Sequence, residues 1–356
     1  MSRILVCSGM GEPEVSTNKS FIAALGFLGH EIITCGPPYW GRGENCDIPV
    51  PDKPFPETYK YENILSLVSG KVDLILQLEP HFYLCDKKPP EIKSAYYLTD
   101  PHRGGHAYYR LAKEGSFDAL FIGQKHFLSL FDDLPCRAYY LPVAFDPRRF
   151  DHAPLSDPVC DIAFCGQSGI GGLTYDFQDE LGRYATSIRS LRTWDSGRYE
   201  FGAPTFDYSE RAEILLRLMQ DFHVRIYEPL YDERYGKATQ KGAIGFQRSL
   251  LNDISIRCYE IMAAGRMLVT DCIPDLDEWF GDEVNDELPC ALYDSYYKVF
   301  TANFDLEMAQ ISKLVRYYLN HHTERELLAA RARAMVWEKH RWQDRANALL
   351  SVALNF

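Results

Sequence analysis

Short runs of consecutive apolar residues alternate along the chain with amphipathic stretches, and that alternation predicts an α/β fold. "SRILVCSGMG" reads as a buried strand running into a turn at Gly9 and Gly11. "STNKSFIAALGFLGHE" reads as a helix, with Ser16 or Thr17 as its N-cap and Gly29 at its end, and "EIITCG" as the next strand. Such a β-α-β unit crosses over right-handed, which makes the sheet parallel. Segments 72–79, 94–100, 117–124 and 136–145 add four strands. Their unbroken apolar runs are those of parallel strands covered on both faces. Residues 146–159 carry three prolines and many charges and read as a linker. A second series begins at "CDIAFCG" (160–166), with helices at 176–193, 209–222, 255–264, 307–321 and 324–354 and strands at 222–229, 241–247 and 267–271. Each half opens with an apolar strand and a Gly-rich turn. The pattern predicts two doubly wound domains facing a cleft, 1–150 and 151–322, with a final helical segment, 323–356, packing back on the first. Ligands of such sheets bind beyond the carboxyl ends of the strands.

Composition narrows the setting. The chain has 356 residues, 46% hydrophobic and 25% charged, the mix of a globular protein with a sizeable core. Its net charge of -12 argues against gripping a nucleic-acid backbone as its main task. No apolar run approaches the ~20 residues needed to span a bilayer, and the start of the chain does not read as a secretory signal. The ten cysteines include no C-x-x-C pair, so buried thiols in a reducing cytoplasm are the expectation and a zinc site is not.

One polar residue breaks the apolar pattern where a core is predicted. In "NDISIRCYEIMAAGRMLVTD" (252–271), Glu260 lies among Tyr259, Ile261, Met262, Ala263 and Ala264. Arg257 and Glu260 are spaced for an ordinary surface pair on a helix, worth only ~0.2–0.5 kcal/mol. The small apolar residues around them instead suit close packing on a sheet, where a carboxylate is costly unless something pairs with it. A ligand diol would do so. The first turn of the same helix, with Asn252, Ser255 and Ile256 at its start, offers free N–H groups to an anion such as a diphosphate. Asp253 is an awkward neighbour for phosphate and reads either as N-cap or as facing away.

This segment resembles the donor-binding region of GT-B glycosyltransferases of the group 1 type, in particular the CgeB-like, spore-maturation branch. The branch's pattern S-x-R-x-x-E-x-x-A-x-G-x-x-x-x-T-D is met by Ser255, Arg257, Glu260, Ala263, Gly265, Thr270 and Asp271. "YYLTDPHR", "YYLPVAFDPRRF", "CDIAFCGQ" and "EKHRWQDRANALL" extend the resemblance over most of the chain. It implies a GT-B architecture of two Rossmann-like domains. Glu260 would bind the donor ribose, the backbone at Ser255 and Ile256 the diphosphate, and Arg257 would assist the phosphate or orient Glu260. The family's first glutamate, eight positions earlier, is replaced here by Asn252.

The remaining candidates lie at predicted strand ends. For Asp100 and His102, in "YYLTDPHRGG", the resemblance implies contact with the transferred sugar or removal of the acceptor proton; the alternative is that they cap the loop. Arg103, Gly9 and Gly11 fall on the acceptor side. "SGMGEP" falls short of the dinucleotide fingerprint. Gly166 and Gln167 are expected near the donor phosphate. Tyr227 ends a strand, where it would stack on a base or belong to the core. The literal D-x-D at 275–277 is read as a helix start. No metal and no cofactor is expected. The reading is therefore a cytoplasmic glycosyltransferase, moving a sugar from a nucleotide-diphosphate donor, UDP-linked, to a hydroxyl acceptor that is a glycan, a protein, a metabolite or a modified nucleic-acid base; the resemblance further implies metal independence and retention. A nucleotide-sugar epimerase of the same fold and a non-catalytic nucleotide or sugar binder are the rivals.

Overall fold

The computed structural model describes residues 1–9, 17–37, 46–51, 58–78, 83–101, 106–151, 157–166, 168, 170–171, 173, 175–187, 192–193, 209–249, 253–273, 275–280, 290–293 and 302–355. The chain divides into two compact units. The first comprises Met1–Val143 and Trp342–Phe356, with Tyr199–Pro204, and the second Ala144–Arg198 and Thr205–Arg341. The first division thus falls after Val143 rather than after residue 150. The return to the first unit comes at Trp342 rather than at 323. The apolar "LPVAF" run, read whole as a strand, crosses the first division.

The first unit holds β1 (Arg3–Cys7), α1 (Thr17–Phe27), β2 (Glu31–Gly36), β3 (Ile48–Pro49), β4 (Tyr59–Lys60), α2 (Tyr61–Leu65), β5 (Leu74–Leu78), β6 (Leu84–Cys85), β7 (Lys93–Leu98), α3 (His106–Glu114), β8 (Ala119–Ile122) and β9 (Arg137–Tyr140). Seven of its strands form one parallel sheet in the order β3-β2-β1-β5-β7-β8-β9, while β4 and β6 pair separately. Alternate residues of the strands face opposite sides. Leu5, Cys7, Ile75, Tyr96 and Leu98 enter a core with Tyr61, Ile64, Leu111 and Phe117. On the other face Tyr97 packs on Phe21 of α1, 5.4 Å between ring centres. Phe21 also meets the edge of Trp342, which opens the chain's last helix.

In the second unit the elements are β10 (Cys160–Phe164), β11 (Ile170–Gly171), β12 (Phe177–Gln178), β13 (Arg183–Ala185), β14 (Arg192–Thr193), α4 (Ser209–Asp221), β15 (Val224–Tyr227), α5 (Glu233–Gln240), β16 (Gly242–Phe246), α6 (Ile256–Ala263), β17 (Met267–Asp271), α7 (Leu276–Phe280), β18 (Ala291–Tyr293), α8 (Ala302–Asn320) and α9 (His322–Lys339). The last helix, α10 (Trp342–Ala353), belongs to the first unit and packs on α1. The main sheet runs β12-β13-β15-β10-β16-β17-β18. Its five strands from β15 to β18 are parallel, and β13 and β12 add an antiparallel edge.

Two helical expectations fail. Within the expected helix 176–193, residues 177–185 form a hairpin, because the Asp179 carboxylate accepts from the backbone N–H of Leu181 and of Gly182 and closes a tight turn there. The single helix at 324–354 is two helices, broken at His340 and Arg341, where the His340 carbonyl accepts from Phe145 N–H.

Helix α6 lies on β16 so closely that Gly245 is the only residue type the contact admits. A methyl there would run into Ile261 Cγ2 and sit 2.7 Å from its Cγ1, and Ile261 is itself buried. Gly245→Ala is expected to cost about 1–3 kcal/mol, as over-packing does. Ile261→Ala added to it should relieve part of that loss, and chemical unfolding of the single and double variants measures both. An unchanged midpoint for Gly245→Ala would show that α6 is not held at this distance.

Of the cysteines whose surroundings are described, Cys7, Cys35, Cys160, Cys165, Cys258 and Cys290 are buried, Cys272 is exposed, and none forms a disulfide. Among the described residues, no helix is long and apolar enough to cross a membrane.

Candidate functional site

The parallel strands β10, β16 and β17 end on the same side of the second unit's sheet, and α6 begins there. Strand β10 runs out through Cys165, whose thiol burial pushes up to about 12, into Gly166. Gly166 has φ +107, a conformation open to glycine and strained for other residues. It also faces Arg257: a Cβ there would lie 2.5 Å from Arg257 Nη2. Arg257 is the second residue of α6. Its guanidinium lies over the Phe164 ring at 4.3 Å and donates from Nη1 to Gln247 Oε1 at 3.1 Å. Its Nε is buried and has no partner among the described residues. Ser255 occupies the N-cap of α6 with extended backbone, yet its hydroxyl makes no capping bond. Helix geometry leaves the amides of Ile256 and Arg257 without an intrahelical acceptor. A glycine turn, helix N–H groups and a fixed guanidinium are thus gathered at one strand end, an arrangement suited to a phosphate-bearing ligand.

The loop leading into α6 is anchored from behind. Gln247 and Arg248 follow β16 and are fully buried. Arg248 Nη1 donates to Asp271 Oδ2 at 3.0 Å, Arg248 Nε lies 3.2 Å from Glu307 Oε1, and Ser249 N–H donates to Asp271 Oδ1 at 2.8 Å. Arg211 Nη2 donates to the Arg248 carbonyl. Burial raises the Asp271 carboxyl above its ordinary range, opposed chiefly by Arg248. Asp253, the awkward acid of the sequence, turns its backbone N–H to Ser249 Oγ and leaves the N-cap to Ser255.

Glu260 is 3% exposed, and the pairing it demands is met within the chain. Oε1 accepts from Arg149 Nη1 at 2.6 Å and Oε2 from the Tyr235 hydroxyl at 2.6 Å. It makes no ion pair with Arg257, so the surface-pair alternative fails. Nor is a ligand diol needed to offset the buried charge, since Arg149 does that. Both partners were missed in the sequence. Arg149 was counted in the linker, 111 positions away. The one local signal was Asp146-Pro147. Asp146 caps a 3-10 turn at Pro147–Arg149 and accepts from Arg148 N–H and Nε, which occupies Arg148 and leaves Arg149 buried. The Arg149 guanidinium also lies over the Tyr235 ring at 3.9 Å.

Of the two places open to Tyr227, the structure gives the core and not the base-stacking one. Tyr227 is fully buried, packs against Tyr184 and donates to Asp179 Oδ2 at 2.8 Å, so no face of its ring is open to a base. In the first unit, Gly9 is buried beyond the end of β1, and Asp100 is half-buried two residues beyond the end of β7. The two lie at the same edge of one parallel sheet, with β5 between their strands. Gly11, His102, Arg103, Gln167 and Asn252 lie outside the described residues. His340 is buried between Tyr259 and Trp279.

Comparison with known proteins follows this geometry. Residues 187–351, which include the whole Glu260 segment, match a family model described as glycosyl transferase-like. No curated protein sequence matches the chain. Among solved structures, the fold is similar to the sucrose-phosphate synthase of Thermosynechococcus elongatus, at TM-score 0.59 and 11% identity over 99% of this chain and 98% of that one. It is also similar to an alpha-glucosyltransferase in complex with UDP-glucose and DNA containing an abasic site, at 0.60 and 11% over 100% and 99%. Anabaena HepE in complex with UDP-glucose matches at 0.58 and 12% over 99% and 100%. The chain therefore has the GT-B fold of two Rossmann-like α/β units, and its second half carries the glycosyl transferase-like match.

Proposed function

We propose that the protein is a glycosyltransferase that moves a sugar from a nucleoside-diphosphate donor to a hydroxyl acceptor. The observation that carries this reading is the cluster at the start of α6: Gly166 at φ +107, the first-turn amides, and Arg257 pinned by Gln247 and Phe164. In this reading the diphosphate lies on those amides, with Gly166 and Gln167 beside it and Arg257 paired to it. The same groups, fixed before reaction, stabilise the charge that develops on the departing diphosphate, and no metal is called for. Glu260 accepts from the ribose hydroxyls: an ionised carboxylate has about four acceptor positions, and Arg149 and Tyr235 occupy two. Asp100 and His102 serve the sugar or the acceptor proton. Uracil is the favoured base because two of the similar structures hold UDP-glucose. Retention and the CgeB-like branch rest on the residue pattern 255–271.

Calorimetry with UDP, GDP and ADP, alone and as sugar conjugates, tests the reading. One nucleoside diphosphate is expected to bind, UDP first, and its sugar conjugate to be slowly hydrolysed with release of the diphosphate. Arg257→Ala should weaken UDP about tenfold or more, the size of one charge-assisted hydrogen bond, while leaving uridine unchanged. Failure of all three nucleotides to bind would remove the donor site. Binding without any turnover would favour a non-catalytic binder.

A further inference from the structure

We infer that Arg149 and Tyr235 are positioning residues that set ribose selectivity in the donor site, acting through Glu260. The inference rests on the donor reading of Glu260 and adds a mechanism to it. A carboxylate on a helix face among apolar neighbours has several rotamers and is costly to keep ionised. Here both freedoms are removed. Arg149 supplies a permanent positive charge at 2.6 Å from Oε1, and the Tyr235 hydroxyl holds Oε2 at 2.6 Å. The two partners are themselves locked together, since the Arg149 guanidinium lies 3.9 Å over the Tyr235 ring. Phe150 closes the cluster edge-on to Tyr235, 6.1 Å between ring centres at 89°. Arg149 and Glu260 are each more than nine-tenths buried as side chains.

A bare structural ion pair would not need the third member. Tyr235 contributes a second donor aimed at the oxygen that Arg149 does not take. Between them they fix the plane of the carboxylate and leave its two other acceptor positions in a set direction. A ribose diol, with two vicinal hydroxyl donors, is the ligand chemistry that such a pair of fixed acceptors recognises. Without Arg149 the carboxylate would lose the buried cation that holds Oε1. Without the Tyr235 hydroxyl it would be free to turn.

The experiment compares UDP with 2′,3′-dideoxy-UDP by calorimetry at pH 7.5, for the wild type, Arg149→Met and Tyr235→Phe, with the melting temperature of each recorded alongside. The wild type is expected to prefer UDP by about tenfold or more, because hydrogen bonds to a charged acceptor are lost in the dideoxy compound. Arg149→Met should bring the two affinities to within about twofold by weakening UDP and leaving the dideoxy compound unchanged. Tyr235→Phe removes one oxygen from a ring that stays in place, and should reduce the preference in the same direction. It keeps the test decisive if Arg149→Met fails to fold. Equal binding of the two nucleotides by the wild type would overturn the donor reading of Glu260 itself. A wild type that discriminates, with Tyr235→Phe and any folded Arg149→Met discriminating as strongly, would overturn the positioning role and leave the donor reading standing.

Discussion

Glu260→Ala is expected to lose about 3–5 kcal/mol of folding stability, the cost of leaving one member of a buried ion pair without the other. Arg149 is then a buried guanidinium whose Nε has no partner among the described residues and whose Nη1 has lost one. Arg149→Met should be costly too, because Glu260 keeps only the Tyr235 hydroxyl. The double variant, Glu260→Ala with Arg149→Met, should recover a large part of the loss, since apolar replacement of both partners removes the uncompensated charge. Urea unfolding of the four proteins gives the coupling energy directly. A coupling below about 0.5 kcal/mol would mean that the pair is not formed in solution. The same measurement separates two effects that a binding assay on Glu260→Ala alone confounds: loss of a ligand contact and loosening of α6.

The second large effect concerns the ion cluster behind the α6 loop. Arg248→Met leaves Asp271 and Glu307 buried and facing the same lost cation, so a loss of about 3–5 kcal/mol is expected at pH 7.5. Its dependence on pH distinguishes it from a packing defect. Asp271 already has a raised pKa in the folded protein, with burial as the leading cause and Arg248 as the main opposing influence. For an acid raised above its unfolded value, the folded state holds the proton longer. Its contribution to stability is fully present below the unfolded pKa and is lost as pH rises through the folded one. Removing Arg248 raises that folded value further, so the deficit of the variant should shrink as pH falls from 7.5 toward 5. Urea midpoints at three pH values check this. A deficit that stays constant would show that the two acids are not what the arginine serves.

The strands were legible because burial on both faces demands unbroken apolar runs, as in "ILVC" of β1 and "ALFI" of β8. Helix α6 was legible from its small residues and its awkward acid. What the acid touches was not. Arg149 reaches it from a segment whose prolines and charges look like a linker, and no local pattern encodes a contact over 111 positions. The hairpin at β12 and β13 was hidden for a different reason. Its turn depends on the Asp179 side chain taking two backbone N–H groups, a competition between side chain and helix that apolar spacing does not report. Tyr227 illustrates a third limit. Its place at a strand end was read well enough to name it, but burial beneath Tyr184 is a property of the sheet's antiparallel edge, which was itself unforeseen.

Because the first unit is built from both ends of the chain, its assembly during synthesis has an enforced order. The strands of its sheet emerge early, but the face that α1 shares with α10 stays incomplete until Trp342, Leu349 and Leu350 have left the ribosome. At ~5–20 residues per second, the roughly 200 residues between Val143 and Trp342 impose a wait of about 10–40 s. The second unit is complete once α9 has emerged, just ahead of α10. The half that is translated first is therefore the half that finishes last, and until then the Phe21 ring lacks the Trp342 that packs on it.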